Sequence, residues 1–191
     1  MAMLSPDAVE SIGFEFVGDN VQISDRATIY GADRIKIENN VRIDDFCVLS
    51  AGEGGIKIGK YVHIAVGSAL IGAGKITLSD FVNLSSRVSV YSSNDDYSGA
   101  SLTNPTVPDK FKKVMHAPVT LGRHAIVGSG SVILPGIRIG EGVAIGALSL
   151  VTKNCEDFGI YAGNPAKKIK ERKRDLLELE KKFLMDMKRK N

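Results

Sequence analysis

Aliphatic residues recur at every sixth position along most of this chain. Eighteen positions follow the period, and each of them holds Val, Ile or Leu. They are Val17, Ile23, Ile29, Ile37, Ile43, Leu49, Ile58, Ile64, Leu70, Leu78, Leu84, Val90, Leu121, Val127, Ile133, Ile139, Ile145 and Val151. A six-residue period is typical of a β-helix, in which each unit forms one side of a coil and three units complete a turn. The pattern therefore predicts an all-β, parallel β-helix of six coils.

The spacing between coils locates one long interruption. Successive coils begin 20, 21, 20, 43 and 18 residues apart. The interval of 43 indicates an excursion loop, which we place at residues 91–118. Its Asn, Asp, Ser, Gly and Pro residues are typical of a loop, and a loop this long inside a compact domain usually has a function or is disordered.

Three segments follow from this pattern. We expect residues 1–16 to cap the solenoid, residues 17–166 to form the β-helix domain, and residues 167–191 to form an amphipathic helix that packs on a coil or on a neighbouring subunit. The helix is predicted from apolar residues at roughly helical spacing. These are Ile169, Leu176, Leu177, Leu179, Phe183, Leu184 and Met187.

Composition and charge exclude several classes of protein. The net charge of +3 comes largely from the Lys/Arg-rich tail, so it does not indicate a nucleic-acid partner. No run of about eighteen apolar residues exists, so we expect no membrane insertion. The first ten residues do not resemble a secretion signal, and the two cysteines lie far apart in the sequence. We therefore expect a cytoplasmic protein.

Two segments resemble a known family. "VTLGRHAIVGSGSVILPGIRIGEGVAIGALSLVTK" (residues 119–153) and "YAGNPAKKIKER" (residues 161–172) are similar to the hexapeptide-repeat acyltransferases. The similarity is greatest to sugar O-acetyltransferases of the galactoside, maltose and nodulation-factor type and to their polysaccharide-modifying relatives. The resemblance implies a left-handed parallel β-helix, a homotrimer, and acetyl-CoA as co-substrate. The left hand is implied by the resemblance alone, because parallel crossovers in general favour the opposite hand.

The function that this resemblance implies is transfer of an acetyl group from acetyl-CoA to a hydroxyl of a sugar or polysaccharide precursor. Two alternatives stay open. One is an N-acetyltransferase that acts on a nucleotide-linked amino sugar, and the other is a non-catalytic β-helical scaffold. The ending "AGNPAKK" favours an enzyme, because a scaffold has no reason to keep it.

Histidines are the first candidates for catalysis, because transfer to a hydroxyl needs a base near neutral pH. His116 lies at the return end of the excursion and is the first choice, with His63 second and Asp95 as a supporting group. In the family the catalytic histidine comes early in the loop, where this chain has Asn94, Asp95 and Asp96. An amine acceptor would not need a protein base. We expect the third histidine, His124, to lie in an exposed turn without a catalytic role.

The candidate acceptor-binding residues lie in two places. Arg42, His63 and Asn83 hold equivalent positions in neighbouring coils, so they should form a polar stripe, with Asn83 immediately below the excursion. The stripe is either a sugar-binding wall or an ordinary solvated face. In the loop, Asn94 and Asp96 are candidates for binding sugar hydroxyls, and ordinary loop solvation is the alternative.

The donor site is implied by the resemblance. In the family the pantetheine arm lies in a groove between subunits, which places Gly128, Ser129, Ala147, Thr152 and Lys153 along it. The basic residues near the end of the chain, Lys168, Lys170 and Arg172, together with Lys153, are candidates for the nucleotide's phosphates. We expect no metal, because the histidines form no close pair and Cys47 falls on an inward position of the repeat.

Overall fold

The chain forms a parallel β-helix in a computed structural model, which describes residues 2–190. Each of six complete coils contributes one strand to each of three sheets, and a partial seventh coil follows. We call the sheets face 1, face 2 and face 3 in the order in which the chain meets them, and name each corner by the faces it joins. The predicted all-β parallel β-helix of hexapeptide repeats is confirmed.

The strands are short, and most contain two to four residues. Face 1 contains Phe16–Val17, Ile35–Ile37, Ile56–Ile58, Ile76–Leu78, Val119–Leu121 and Arg138–Ile139. Face 2 contains Gln22–Ile23, Arg42–Ile43, His63–Ile64, Asn83–Leu84, Ile126–Val127, Ala144–Ile145, Gly159–Ala162 and Lys167–Glu171. Face 3 contains Thr28–Tyr30, Val48–Ala51, Ala69–Gly72, Ser89–Tyr91, Val132–Ile133 and Leu150–Val151.

The repeat positions point inward and stack in columns. On face 2, Ile43 pairs in register with Ile64, Ile64 with Leu84, and Leu84 with Val127, and all four side chains are completely buried. Val17 and Ile29 are only half-buried, because they lie in the first coil and a coil follows on one side only. The aliphatic columns are therefore the core, and burial of each side chain stabilises the fold by about 1.5–3 kcal/mol.

The excursion leaves the coil at corner 3–1, after the face 3 strand that ends at Tyr91. Its two ends form an antiparallel pair, Ser93–Asn94 with Met115–His116. The middle of the excursion contains a short 3₁₀ helix, Asp109–Phe111, and an isolated β-bridge between Leu102 and Lys112. The predicted interruption therefore projects from the solenoid on a two-stranded stem.

The first helix, α1 (Pro6–Ser11), covers the open end of the first coil. The Ser5 hydroxyl accepts a hydrogen bond from the Ala8 amide and so caps the helix, while Val9 packs into the core. The Leu4 amide donates to the Ile23 carbonyl at 2.8 Å. Such a cap is expected where ladder groups of a terminal coil would otherwise lack partners.

The C-terminal helix is shorter than predicted. Residues Lys167–Glu171 form a strand that pairs antiparallel with Gly159–Ala162, and helix α2 spans Asp175–Lys190. The predicted start at residue 167 is therefore wrong, because the exposed ladder of the last coil takes residues 167–171 as a strand. The predicted outer limits, residues 1 and 191, lie outside the described residues.

Helix α2 packs back along corner 1–2 of its own chain. The Phe183 ring lies edge-on to Tyr61, with ring centroids 5.1 Å apart, and Tyr61 in turn stacks on Phe81 at 4.9 Å. The buried Glu180 carboxylate accepts hydrogen bonds from Arg123 and, at 2.8 Å, from His124 Nε2. The helix thus contacts coils on both sides of the excursion.

His124 is not exposed as expected, because its side chain is 11% exposed. Its ring stacks on Phe81 with centroids 4.8 Å apart. Burial, together with the positive charges of Arg123 and Arg172, lowers the pKa of His124 below its ordinary value. His124 thus belongs to the packed contact between α2 and corner 1–2.

Within residues 2–190, no helix is long and apolar enough to cross a membrane.

Candidate functional site

The root of the excursion fixes the position of His116. The Ser93 hydroxyl oxygen accepts the Ala73 amide at 2.7 Å and lies 2.7 Å from His116 Nδ1. Because Ser93 and His116 are paired across the stem, the ring is held at the base of the loop. The His116 side chain is nevertheless exposed at this place.

Two acids follow in the loop, and they differ in what surrounds them. Asp96 accepts hydrogen bonds at 2.9 Å from the Ser98 amide and from the Ser101 hydroxyl. Hydrogen bonds from Ser98 and Ser101 lower the pKa of Asp96. Asp95 is half-buried, and it makes no hydrogen bond or ion pair with residues 2–190. Asp96 therefore shapes the loop, while the Asp95 carboxylate remains available to a ligand.

Face 2 carries the predicted polar stripe. Arg42 pairs in register with His63, and His63 with Asn83. His63 Nδ1 lies 3.2 Å from Asn83 Oδ1, and His63 Nε2 lies 2.9 Å from Asp44 Oδ2. Arg42 Nε donates to Asp44 Oδ1 at 2.7 Å. Asp44 therefore links Arg42 to His63, and His63 in turn contacts Asn83, so the three predicted residues form one cluster.

Asp44 was missed by the sequence analysis. Burial acts to raise the pKa of its carboxyl, but hydrogen bonds from Arg42 and His63 outweigh burial and hold the pKa below its ordinary value. A signal was present in the sequence. Asp44 directly follows an inward repeat residue, and the residues in that place in the other coils are small: Ser24, Ala65, Ser85, Gly128 and Gly146.

The face 2 cluster and the excursion do not meet within one chain. Asn83 was expected immediately below the loop, but it lies on face 2, whereas the loop leaves at corner 3–1 after face 3. That expectation is wrong, because corner 2–3 and the whole of face 3 lie between Asn83 and the start of the loop. Within a single chain His116 and Asp95 are therefore separated from Arg42 and His63.

The predicted donor residues also fall at two corners. Gly128 and Ala147 stack at corner 2–3, where the Gly128 amide donates to the Ile145 carbonyl at 2.8 Å. A Cβ on Gly128 would lie 2.4 Å from the Ala147 amide nitrogen, so a side chain does not fit there. The Ser129 carbonyl accepts the Leu148 amide at the same corner. Thr152 and Lys153 follow face 3 at corner 3–1, and both are exposed.

The basic residues near the end of the chain lie elsewhere. Arg172 Nη1 donates to the His124 and Gly142 carbonyls, each at 3.0 Å, and burial lowers the pKa of Arg172. Lys168 bonds to Glu171 and Glu156, and these hydrogen bonds raise its pKa. The structure thus ties Arg172 into corner 1–2 and Lys168 to two acids, while Lys170 is exposed.

Within the described residues, neither the cysteines nor the potential metal-ligating side chains come together in a site. Cys47 is buried, and its Sγ lies 3.2 Å from the Ala65 carbonyl oxygen. Cys47 is part of the hydrophobic core, and its burial there raises the pKa of its thiol. Across residues 2–190, no three or more His, Cys, Asp or Glu side chains converge as ligands for a metal ion.

Comparison with known proteins gives a consistent picture. Residues 115–153 match the family described as bacterial transferase hexapeptide (six repeats). The dTDP-4-amino-4,6-dideoxy-D-glucose acyltransferase of Escherichia coli is 55% identical over 183 residues, which are 96% of this chain and 95% of that protein.

Solved structures extend the comparison. AntD, an N-acyltransferase from Bacillus cereus in complex with dTDP and 3-hydroxybutyryl-CoA, is 47% identical with a TM-score of 0.92, over 97% of this chain and 98% of AntD. A variant of AntD has been solved with dTDP-4-amino-4,6-dideoxyglucose and coenzyme A. A maltose O-acetyltransferase from Clostridium difficile 630 is 22% identical with a TM-score of 0.61, over 89% of this chain and 78% of that chain, and shares the fold.

Proposed function

This chain belongs to the hexapeptide-repeat acyltransferases, and we propose that it transfers an acetyl group from acetyl-CoA to the amine of a nucleotide-linked amino sugar. The observation that carries the proposal is the 55% identity, over nearly the whole length of both proteins, to an acyltransferase named for a dTDP-linked 4-amino sugar. The relatives with high identity therefore favour the amino-sugar alternative over the sugar O-acetylation expected from the sequence.

The excursion agrees with an amine acceptor. The early part of the loop holds Asn94, Asp95 and Asp96 where an O-acetyltransferase would place its histidine. A hydroxyl needs a base to become a nucleophile, whereas a deprotonated amine already presents a lone pair. Its nitrogen attacks the thioester carbonyl, and the C–N bond forms as the C–S bond breaks. The nitrogen gives up a proton in this step and the departing sulfur takes one up.

Asp95 and His116 have the roles that this reaction requires of the protein. The half-buried Asp95 carboxylate is placed to receive the acceptor's ammonium group, to orient it and to accept its proton. His116, held by Ser93, is a second candidate for proton transfer. A positioned base contributes about a hundredfold to ten-thousandfold in rate.

Face 3 supports the assembly of three copies. Outward positions on face 1 and face 2 include Lys36, Lys57, Arg138 and Arg42, whereas the outward positions on face 3 carry no charge among the described residues. Those on face 3 are Thr28, Tyr30, Val48, Ser50, Ala69, Ile71, Ser89, Tyr91, Val132 and Leu150. Uncharged, partly apolar surfaces are favoured at permanent interfaces. We therefore propose a homotrimer with face 3 towards the threefold axis.

This assembly would bring the separated groups together. With face 3 inward, corner 2–3 of one copy lies beside corner 3–1 of the next. Gly128 and Ala147 of one copy then meet Thr152 and Lys153 of its neighbour, which completes the donor groove between subunits. The same contact sets the excursion of the neighbour beside face 2.

Replacing Val132 by Lys should yield monomers by light scattering, while Lys57→Ala on face 1 should leave the trimer intact.

The test of the function is release of free thiol from acetyl-CoA by the purified protein. We expect release with dTDP-4-amino-4,6-dideoxyglucose and none with the matching dTDP-sugar that has a hydroxyl in place of the amine. Maltose and a galactoside serve as further hydroxyl acceptors, and 3-hydroxybutyryl-CoA tests the acyl group. Turnover with the hydroxyl acceptors alone would overturn the proposal in favour of O-acetylation.

A further inference from the structure

We propose that Ser131 and Ser149 are positioning residues for the acyl donor, and that their buried hydroxyl groups hold the amide N–H of Ala147 towards the groove at corner 2–3. The amide would donate a hydrogen bond to a carbonyl of the pantetheine arm. This inference rests on the proposed function, since it names the residues that prepare the donor groove. Neither serine is among the residues that the sequence suggested for binding or catalysis.

The hydrogen bonds at the Gly146 carbonyl are the first argument. Its oxygen accepts a hydrogen bond from the Ser149 hydroxyl at 2.7 Å and another from the Ser131 hydroxyl at 3.0 Å. A carbonyl oxygen has two lone pairs, so both are engaged. The C=O and N–H of one trans peptide point in opposite directions. Because the Gly146 carbonyl is held inward, the N–H of Ala147 is turned outward.

The direction of these hydrogen bonds is fixed by their neighbours. The Ser131 hydroxyl oxygen accepts the Ser149 amide at 3.2 Å, and the Ser149 hydroxyl oxygen accepts the Gly163 amide at 3.1 Å. Each hydroxyl therefore keeps its hydrogen atom for the Gly146 carbonyl, which can only accept. Ser131 is completely buried and Ser149 is 2% exposed, so water does not compete for these groups. Gly163 belongs to the ending "AGNPAKK", so the network also joins that ending to corner 2–3.

The Ala147 amide is free to bind a ligand. Among residues 2–190 it has no hydrogen-bond partner, although the next amide, that of Leu148, donates to the Ser129 carbonyl at 2.9 Å. Ala147 is exposed, and it stacks on Gly128, which has no side chain. An extended chain can therefore approach the backbone closely at this corner. The pantetheine arm is such a chain, and it contains amide carbonyls that can accept the hydrogen bond.

The backbone of the turn is a second argument. Leu148 has φ +57°, a conformation that residues other than Gly rarely adopt. Leu148 is 77% exposed, so packing of its side chain contributes little to holding it there. Strain of this kind persists where the surroundings fix the backbone, and it collects at ligand sites. The two hydroxyls supply part of that support, because they fix the peptide that precedes Ala147.

The double contact is particular to this coil. In an earlier coil, the Ser85 carbonyl at corner 2–3 accepts one hydroxyl, that of Ser68 at 3.0 Å. The Gly128 carbonyl accepts the Ser131 amide at 3.3 Å and no hydroxyl. Within the described part of the chain, Gly146 is thus the one carbonyl of this corner that two hydroxyls hold. It directly precedes a residue of the expected donor groove.

The experiment is calorimetric titration of the full chain with coenzyme A and with adenosine 3′,5′-bisphosphate, which lacks the pantetheine arm. Ser131→Ala and Ser149→Ala should each weaken coenzyme A binding about two- to tenfold, as expected for the loss of one hydrogen bond. Both variants should bind the bisphosphate as wild type does. A similar weakening for both ligands would overturn the proposal, because the damage would then extend beyond the pantetheine path.

Ser68→Ala is the matched control. It removes a buried hydroxyl that donates to a carbonyl at 3.0 Å and accepts the Val88 amide at 3.2 Å. We expect it to lower the urea midpoint as the other two variants do, and to keep the coenzyme A affinity of wild type. Equal weakening of coenzyme A binding in all three variants would refute the positioning role, since loss of stability alone would explain it.

Steady-state kinetics gives a second readout. In Ser149→Ala the KM for acetyl-CoA should rise by the same factor, while kcat and the KM for the amine acceptor stay near wild type. Wild-type coenzyme A affinity in both serine variants, with a lowered urea midpoint, would make the hydroxyls purely structural.

Ala147→Pro decides if the serine variants do not fold. Pro suits the place directly before a residue with positive φ in a turn, and it removes the N–H itself. Coenzyme A affinity equal to wild type in this variant would overturn the proposal. Weakened coenzyme A binding in the serine variants, without thiol release from the amine acceptor by wild type, would contradict the proposed function and leave the role of the serines standing.

Discussion

Replacing Gly128 by Ala tests the donor groove and the stacking of the coils together. The added Cβ would lie 2.4 Å from the Ala147 amide nitrogen and 2.8 Å from its Cα. Non-bonded atoms settle about 3.5 Å apart, so the coils must separate locally by about 1 Å. The hydrogen bond from the Gly128 amide to the Ile145 carbonyl, now 2.8 Å, would then exceed hydrogen-bond distance.

The expected cost combines two effects. Loss of the hydrogen bond costs about 0.5–1.5 kcal/mol. Crowding against rigid backbone costs about 1–3 kcal/mol. We therefore expect the free energy of unfolding to fall by about 1.5–4.5 kcal/mol. We also expect KM for acetyl-CoA to rise, since the same corner lies on the proposed pantetheine path.

Urea unfolding and acetyl-CoA kinetics measure these two effects. Gly13→Ala is the matched control, because a Cβ on Gly13 would meet nothing within 4 Å and Gly13 follows helix α1, at the other end of the solenoid from the proposed groove. Gly13 has φ +79°, so this control carries a backbone penalty of about 1–3 kcal/mol and leaves the groove unchanged. A Gly128→Ala protein with wild-type urea midpoint and KM would refute the reasoning.

Three further predictions concern individual side chains. Lys153→Glu should raise the Kd of acetyl-CoA about tenfold by calorimetry, since like charges would repel, and an unchanged Kd would remove Lys153 from the phosphate path. Asp95→Asn should lower kcat a hundredfold or more, whereas Asp96→Asn should chiefly increase proteolysis within the excursion, and equal kinetics in the two variants would contradict this division. Folding lowers the pKa of His124, so as the pH falls the unfolded chain binds a proton at this residue before the folded chain does. The free energy of unfolding measured in urea should therefore keep its full value above about pH 6.5 and fall as the pH drops below it. His124→Gln should flatten that fall, and a profile identical to wild type would show that His124 is not its source.

The fold was largely predictable because the signal is local and repeated. Each inward aliphatic residue marks its own six-residue repeat, so the buried columns through Ile43 and Ile64 could be predicted from the period alone. The interval of 43 residues likewise located the excursion. The segment 167–171 was misassigned because its charged and apolar residues suit a helix or an edge strand, and pairing with Gly159–Ala162 decides between them.

The site was less predictable, because it depends on which side of the coil each residue occupies. The repeat placed Arg42, His63 and Asn83 in one stripe, as observed. The repeat gave no information on how far that stripe lies from the excursion, since corner 2–3 and face 3 separate them. The contribution of Asp44 was also hidden, because its contacts join neighbouring coils about twenty residues apart in sequence.

The packing of α2 has a consequence for the way this protein unfolds. In a solenoid each coil contacts only its neighbours, so coils can detach one by one from an end. Helix α2 breaks that rule, because Glu180 binds Arg123 and His124 after the excursion while Phe183 contacts Tyr61 before it. Helix α2 therefore links the coils before the excursion to those after it, so the stability of each group depends on the other. Denaturation should accordingly be a single cooperative transition, and removal of residues 175–191 should split it into two.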